Sequence, residues 1–318
     1  MSESGDTKSN SSSRLQVEAD ASELVGYLRN FSHLAVAFSG GVDSSVVLAA
    51  GVRAELSRLV AVTAKSPSVA RWQCDLASDI AQHLGVEHWV AGTNELSLRE
   101  YQRNDSRRCF YCKQTLYAAI EREIGTRLGA SVDAKTVQVK FRIASGTNAD
   151  DLGDHRPGIQ AGVEKAVLTP LASLGLSKER VRALANHWSL PNHDLPASPC
   201  LSSRIAYGVE VTPERLERIE SAEAWLYERG FREFRVRVHE GELARIEVAK
   251  TDQTRVLALD SEGGLSQFFR ELGFRFVTVD LQGFHSGSLN RNLVNIGHDL
   301  TGTGTGKVVP KAADVSGR

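Results

Sequence analysis

The sequence lacks the marks of several large protein classes. No apolar run approaches the roughly 20 residues that a membrane-spanning helix needs, so no membrane partner is expected. The opening stretch MSESGDTKSNSSSRLQ has no apolar core of the kind a secretory signal carries. Four cysteines in 318 residues are too few for a disulfide scaffold. Cysteines at motif spacing in a reducing cytoplasm, the compartment expected here, bind metal or do chemistry. No basic excess exists either: 38 Lys and Arg stand against 39 Asp and Glu, for a net charge of -1. A dedicated nucleic-acid surface is therefore not expected. The G-x-x-x-x-G-K-[ST] loop of kinases and GTPases is missing, and no internal repeat is found.

What is present is organised around residues 33–50, HLAVAFSGGVDSSVVLAA. An apolar run, Leu34 to Phe38, breaks at Ser39-Gly40-Gly41, and a helical stretch resumes from Ser44. A buried strand that passes through glycines into a helix N-terminus makes an anion site, because the first-turn amides are unpaired and the dipole is positive there. Ser39, Ser44 and Ser45 add hydroxyl donors, and Asp43 can hold magnesium against phosphate oxygens. A plain Gly-Ser turn is the bland alternative.

The length suggests about two domains, and 41% hydrophobic content suffices for their cores. Residues 1–15 read as a flexible tail, 16–208 as the first domain, 209–292 as a smaller second one, and 293–318, with TGTGTG, as another tail. In the first domain a helix is expected over 16–30, then the strand of residues 34–38 and a helix over 44–56. A strand at 59–64 follows, and its end, Thr63 to Ser66, should lie beside an adenine. A helix over 69–84 carries Val69, Trp72, Leu76, Ala77, Ile80, Ala81 and Leu84 as its apolar stripe, with Cys74 off it. Strands at 86–91 and 139–144 flank a helix over 111–128. This alternation predicts an α/β fold with a doubly wound parallel sheet.

Three more stretches carry chemistry. In Arg107-Arg108-Cys109-Phe110-Tyr111-Cys112-Lys113 a CxxC opens a helix, where cationic neighbours should depress the thiol pKa values and favour thiolate as nucleophile or metal ligand. Incidental or structural use is the alternative. Zinc would need two further ligands, which no second CxxC or H-x3-5-H pair supplies; three cysteines would suit an iron–sulfur cluster with one open iron. Ser145-Gly146-Thr147-Asn148-Ala149-Asp150-Asp151-Leu152-Gly153-Asp154-His155-Arg156-Pro157-Gly158 follows a strand and brings clustered carboxylates suited to magnesium polyphosphate, or else forms a solvated turn. Pro196 to Gly208 holds Cys200 next to Ser202-Ser203-Arg204, which could bind an anion.

After Gly208 the pattern changes to a small α+β unit. Thr212-Pro213-Glu214 starts a helix with the stripe Leu216, Ile219, Ala222 and Leu226. Phe234, Val236 and Val238 alternate with Arg235, Arg237 and His239, putting the basic side chains on one face. That face is either solvated or a fork for phosphate or carboxylate. A strand over 243–249, a helix over about 262–272 and a strand over 274–279 complete the unit.

SGGVDSS matches the loop of the ATP pyrophosphatases (the PP-loop), which cleave ATP to AMP and pyrophosphate. Taken in order, SGGVDSS, RCFYCK, SGTNADDLGDHRPG, SPCLSSRIAYG and DLQGFHSGSLN resemble the LarE family over roughly residues 16–292. The resemblance implies sulfur insertion into pyridinium-3,5-biscarboxylic acid mononucleotide during synthesis of the nickel-pincer cofactor of lactate racemase. A substrate carboxylate would be adenylated, pyrophosphate released, and sulfur would attack to leave a thiocarboxylate. The implied ATP site is Ser39, Gly40, Gly41, Asp43, Ser44, Ser45, Thr63, Gly146, Thr147 and Asn148, with magnesium at Asp43, Asp150 and Asp151. Ser203, Arg204, Arg235 and Arg237 would hold the substrate. One branch of the family sacrifices the sulfur of the cysteine matching Cys200; another has three cysteines, matching Cys109, Cys112 and Cys200, around a [4Fe-4S] cluster that relays sulfide. All three are present, which places the chain with the cluster branch, together with a sulfide donor and oligomeric assembly. A tRNA thiolase, an amide-forming synthetase and a non-catalytic nucleotide-binding module are the other classes considered.

Overall fold

The computed structural model describes residues 6–129, 141–153, 157–261 and 264–285. In chain order the first part runs α1 (Asp6–Leu28), β1 (His33–Ala37), α2 (Val42–Arg53), β2 (Arg58–Lys65), α3 (Arg71–His83), β3 (Glu87–Gly92), α4 (Arg99–Gln102), α5 (Arg108–Gly129), β4 (Arg142–Ser145), α6 (Pro157–Glu164), α7 (Pro170–Ser173) and α8 (Lys178–His187). The second part runs α9 (Pro213–Glu228), β5 (Phe234–His239), β6 (Leu243–Val248), α10 (Gln253–Ser261), α11 (Leu265–Glu271) and β7 (Phe276–Val279).

The four strands of the first sheet are parallel, in the order β3-β2-β1-β4. Successive side chains of a strand point to opposite faces, and both faces here are covered. Leu34, Val36 and Ala61 pack with α1, α2, α3 and α8 residues such as Leu24, Val46, Ile80 and Leu184. Ala35, Val60, Val62 and Ile143 pack with Tyr117, Ile120 and Ala161 of α5 and α6. Burial on both faces is why these strands are apolar without alternation. The chain moves outward from β1 to β3 and then returns to β4 on the other side of β1. The strand order thus reverses at β1, and in open α/β sheets the carboxyl ends of the strands beside such a switch point, here β1 and β4, form the crevice where ligands bind.

The second sheet has the order β5-β6-β7, with β5 and β6 antiparallel and β6 and β7 parallel. Leu216, Ile219, Ala222 and Leu226 of α9 are fully buried against it. Tyr101 and Leu201 join this core from the first part of the chain. Thr212 caps α9 by accepting the Arg215 amide at 3.3 Å.

Several boundaries differ from the sequence expectations. The helix expected from residue 16 starts at Asp6, inside the stretch read as a tail. Trp72 is 47% exposed, because only the second half of α3, at Ala77, Ile80 and Ala81, lies on the sheet. α10 was not foreseen, and α11 starts only at Leu265. The C-terminal tail and Asp154, His155 and Arg156 fall outside the described residues. Among the described residues no helix is long and apolar enough to cross a membrane.

Candidate functional site

The loop after β1 turns through Gly40 at φ +72, a conformation that favours glycine. A Cβ there would also meet the Ala77 backbone nitrogen at 3.0 Å, so α3 packs directly on this loop. Gly41 lies at the start of α2, and its carbonyl accepts both the Ser45 amide (3.0 Å) and the Ser44 hydroxyl (3.0 Å). The Ser39 and Ser44 hydroxyls stand 3.3 Å apart, and the Ser39 hydroxyl accepts the Gly41 amide at 3.3 Å. Across the crevice Gly146 presses on the α2 N-terminus. A Cβ at 146 would lie 2.6 Å from the Ser44 nitrogen and 2.8 Å from the Asp43 carbonyl carbon. Only glycine allows that approach.

Asp43 projects from the first turn of α2 into this junction. Its carboxyl is pushed above the ordinary aspartate value, first by burial and then by the nearby Asp151 charge, against the pull of Asn148, Lys178 and Arg182. Asn148 is fully buried beside it, and its backbone amide donates to Asp151 at 3.2 Å. Asp150 accepts the Lys178 amide at 2.8 Å. Of the three carboxylates expected at a magnesium ion, Asp151 lies near enough for its charge to act on Asp43, and Asp150 holds the start of α8. The pair fits magnesium, which takes one or two carboxylates alongside substrate phosphates. Thr147 holds the Ser145 hydroxyl at 3.1 Å. Thr63 is buried, donates to the Phe38 carbonyl at 2.9 Å and stands 2.7 Å from a His88 ring nitrogen. Burial holds the His88 imidazole below its ordinary value.

The cysteines sit at a second centre. Cys109 is exposed, and Cys112 and Cys200 are half-buried. Burial pushes the Cys112 thiol up, and the charges of Cys200, Glu95 and Cys109 add to this; Lys113 only partly opposes them. This reverses the depressed pKa expected of the second thiol of the CxxC, because desolvation outweighs its cationic neighbour. Cys112 feels the charges of the other two thiols, and Arg108 and Lys113 stand near them. Burial draws each cation's pKa down, yet nearby thiols and phenols hold it above its ordinary value. These donor types and charges suit an anionic cluster. Yet among the described residues no group of three or more His, Cys, Asp or Glu is placed to hold a metal ion.

The Cys200 segment is tied down on all sides. Leu201 donates to the Ser68 carbonyl at 2.9 Å, and Gln73 of α3 donates to the Ser198 carbonyl at 2.9 Å. Below it runs a buried polar chain. The Tyr101 and Ser202 hydroxyls are 2.5 Å apart, and the Ser68 hydroxyl donates to Glu95 at 2.6 Å. Arg204, 3% exposed, wraps back under the turn: it pairs with both oxygens of Glu223 at 3.1 Å and donates to the Pro199 and Cys200 carbonyls. Arg237, 6% exposed, pairs with Glu247 at 3.0 Å and donates to the Ser203 carbonyl at 3.0 Å. The solvated-face alternative for Arg237 therefore fails, since its guanidinium is buried between Glu247 and the Ser203 carbonyl of the Cys200 segment. Arg235 differs from both. It donates to the Phe234 (2.6 Å) and Ala197 (3.1 Å) carbonyls, and burial plus the Arg204 charge push it down to about 10.

Sequence reading missed several residues that build these centres. Asn192 is buried and donates to the Gly40 carbonyl (2.7 Å) and the Ser45 hydroxyl (2.9 Å). Glu223, Tyr101 and Lys178 likewise carried no local motif. The one available signal was a charge placed on an otherwise apolar helix or strand face, as at Glu223 between Ala222 and Leu226.

No protein-family profile matches the chain. It is 38% identical over 277 residues to the uncharacterized protein slr1717 of Synechocystis sp., covering 87% of this chain and 99% of that one. It is 24% identical over 256 residues to the uncharacterized protein MJ0830 of Methanocaldococcus jannaschii, covering 79% and 90%. With the pyridinium-3,5-bisthiocarboxylic acid mononucleotide synthase of Lactiplantibacillus plantarum it shares 31% identity over 272 residues, 85% of this chain and 93% of the relative. At that identity and coverage, the chain belongs to the LarE family of that synthase.

Proposed function

We propose that the chain is an ATP-dependent sulfurtransferase that converts a carboxylate of pyridinium-3,5-biscarboxylic acid mononucleotide into a thiocarboxylate. Family membership supports the substrate class. The observation that carries the chemistry is the double role of α3: Ala77 abuts the glycine loop, and Gln73, one turn earlier, holds the Cys200 segment. A nucleotide loop and a sulfur-bearing segment held by one helix suit a reaction that activates with ATP and then transfers sulfur.

In this reading the SGGVDSS loop is a PP-loop. The amides of Gly41 to Ser44 and the Ser39 and Ser44 hydroxyls hold the phosphates, and Asp43 and Asp151 would hold a magnesium ion that offsets the charge of the departing pyrophosphate. A substrate carboxylate oxygen attacks the α-phosphorus, pyrophosphate leaves, and an acyl-adenylate forms. Sulfide then attacks the acyl carbon, AMP leaves, and the thiocarboxylate remains. Arg235, whose hydrogen bonds go to carbonyl groups, holds the substrate phosphate or second carboxylate, while Arg204 and Arg237 shape the pocket through Glu223 and Glu247. A cluster held by Cys109, Cys112 and Cys200 would supply sulfide at an iron without a protein ligand. The presence of all three motif cysteines, with Arg108 and Lys113 near their thiols, supports this reading.

The test is pyrophosphate release from ATP and the dicarboxylate nucleotide. Asp43→Ala should abolish it while keeping the fold; release at the wild-type rate would refute the magnesium role. Because the thiols do not stand as a ligand group, sacrifice of Cys200 is the second reading. Anaerobic iron analysis separates the two. The cluster predicts iron that falls when any of the three cysteines becomes Ser and is indifferent to Cys74. Sacrifice predicts a single turnover and the loss of about 34 Da at Cys200, the mass of H₂S.

A further inference from the structure

Lys178 opens α8 at the edge of the crevice. Its backbone amide is spent on Asp150, and its ammonium stands 3.6 Å from an Asp151 carboxylate oxygen. Asp151 also accepts the Asn148 amide, and Asn148 lies beside Asp43. One ammonium thus faces the two carboxylates that a magnesium ion would use. Arg182, one turn along α8, is pinned by the His193 (3.2 Å) and Leu195 (2.8 Å) carbonyls and is a fixed charge. Lys178 is not pinned: its side chain is 51% exposed on a flexible four-carbon stem.

A divalent ion and an ammonium compete for the same carboxylate oxygens. When the ion arrives with a polyphosphate, the displaced ammonium finds more negative oxygens within its reach. We propose that Lys178 is the exchange cation of the nucleotide site. It neutralises Asp151 in the free protein, yields that carboxylate to magnesium when nucleotide enters, and then contacts the phosphates. The inference rests on the nucleotide reading above and adds a residue to it. It also accounts for a lysine placed against a carboxylate that a metal would need.

Manganese is the probe, followed by electron paramagnetic resonance on the full chain without nucleotide. Lys178→Met should bind manganese about fivefold more tightly than the wild type, the scale of an exposed ion pair. In calorimetry with magnesium present, the same variant should bind ATP about tenfold more weakly, the scale of a lost charge-assisted contact. Lys178→Arg, which keeps the charge, should return manganese binding to the wild-type level. Lys178→Gln serves as a second neutral variant if methionine at this helix start disturbs the circular dichroism spectrum. Unchanged manganese affinity in the neutral variants overturns the exchange. Tighter manganese with unchanged ATP affinity overturns the phosphate contact. If the wild type takes up no ATP while the neutral variants still bind manganese more tightly, the nucleotide reading fails and the metal exchange stands.

Discussion

The glycine-loop crevice and the cysteine centre are built by different means. The crevice is made mainly of backbone: two strand ends, one helix start, and two glycines pressed against neighbouring main chain at Ala77 and Ser44. The cysteine centre is made of side chains from segments far apart in sequence. Its shape depends on buried charge pairs, Arg204 with Glu223 and Arg237 with Glu247. Backbone sites are set as soon as the sheet forms, whereas side-chain sites depend on each partner being present. The first should tolerate side-chain changes around it and fail at single glycines. The second should fail wherever one ion of a pair is lost.

The largest expected effect tests the second half of that contrast. Glu223→Gln leaves the Arg204 guanidinium buried without its counter-ion, which should destabilise the fold by about 3–5 kcal/mol in urea unfolding. ATP affinity of the protein that remains folded should stay near wild type. A loss under about 1 kcal/mol would mean that the pair does not hold the Cys200 turn.

Gly146→Ala tests the first half. The added methyl meets main-chain atoms that cannot rotate away, so a loss of about 1–3 kcal/mol is expected, the usual range for overpacking. Nucleotide binding should weaken with it. An unchanged denaturation midpoint together with unchanged ATP binding would show that the junction is looser than its geometry implies.

Arg235 and Arg237 sharpen the comparison within one strand. Arg235→Ala should weaken substrate binding by about 1.5–3 kcal/mol in calorimetry, with little change in stability. Arg237→Ala should instead chiefly cost stability, since Glu247 would lose a buried partner. The reverse pattern would assign the anion to Arg237.

The smallest effect is a pH dependence. Burial lowers the His88 and His239 pKa values, so the folded state resists protonation while the unfolded chain takes up protons near pH 6.5. Stability should therefore decline as pH falls from about 6.5 toward the lower folded values. His88→Gln should flatten part of that slope; an unchanged slope would place the titration elsewhere.

Much of the fold was legible in the sequence because its signals are local. Apolar strands bounded by glycines, the Thr212-Pro213 start of α9 and its four-residue stripe all arise from hydrogen bonds and burial within a few residues. The same holds for the glycine loop, since a strand, a turn and a helix start are contiguous in the chain. The Arg235–Arg237 alternation predicted a shared face correctly but not what lay on it. Periodicity reports the direction of a side chain along its own strand, and nothing about the segment of residues 197–204 that arrives from elsewhere.

What the sequence by itself determined is the set of parts: a parallel α/β layer, a glycine loop at Ser39–Ser45, and three motif cysteines. The tertiary structure decided how the parts meet. It bound the loop and the Cys200 segment to one helix, used Asp150 to hold the start of α8, and raised the Cys112 thiol where its neighbours in sequence suggested the opposite. Contacts between residues a hundred positions apart, and the desolvation that follows from them, are properties of the packed chain. They leave no trace in local spacing, because solvent exclusion and charge pairing depend on distance through space.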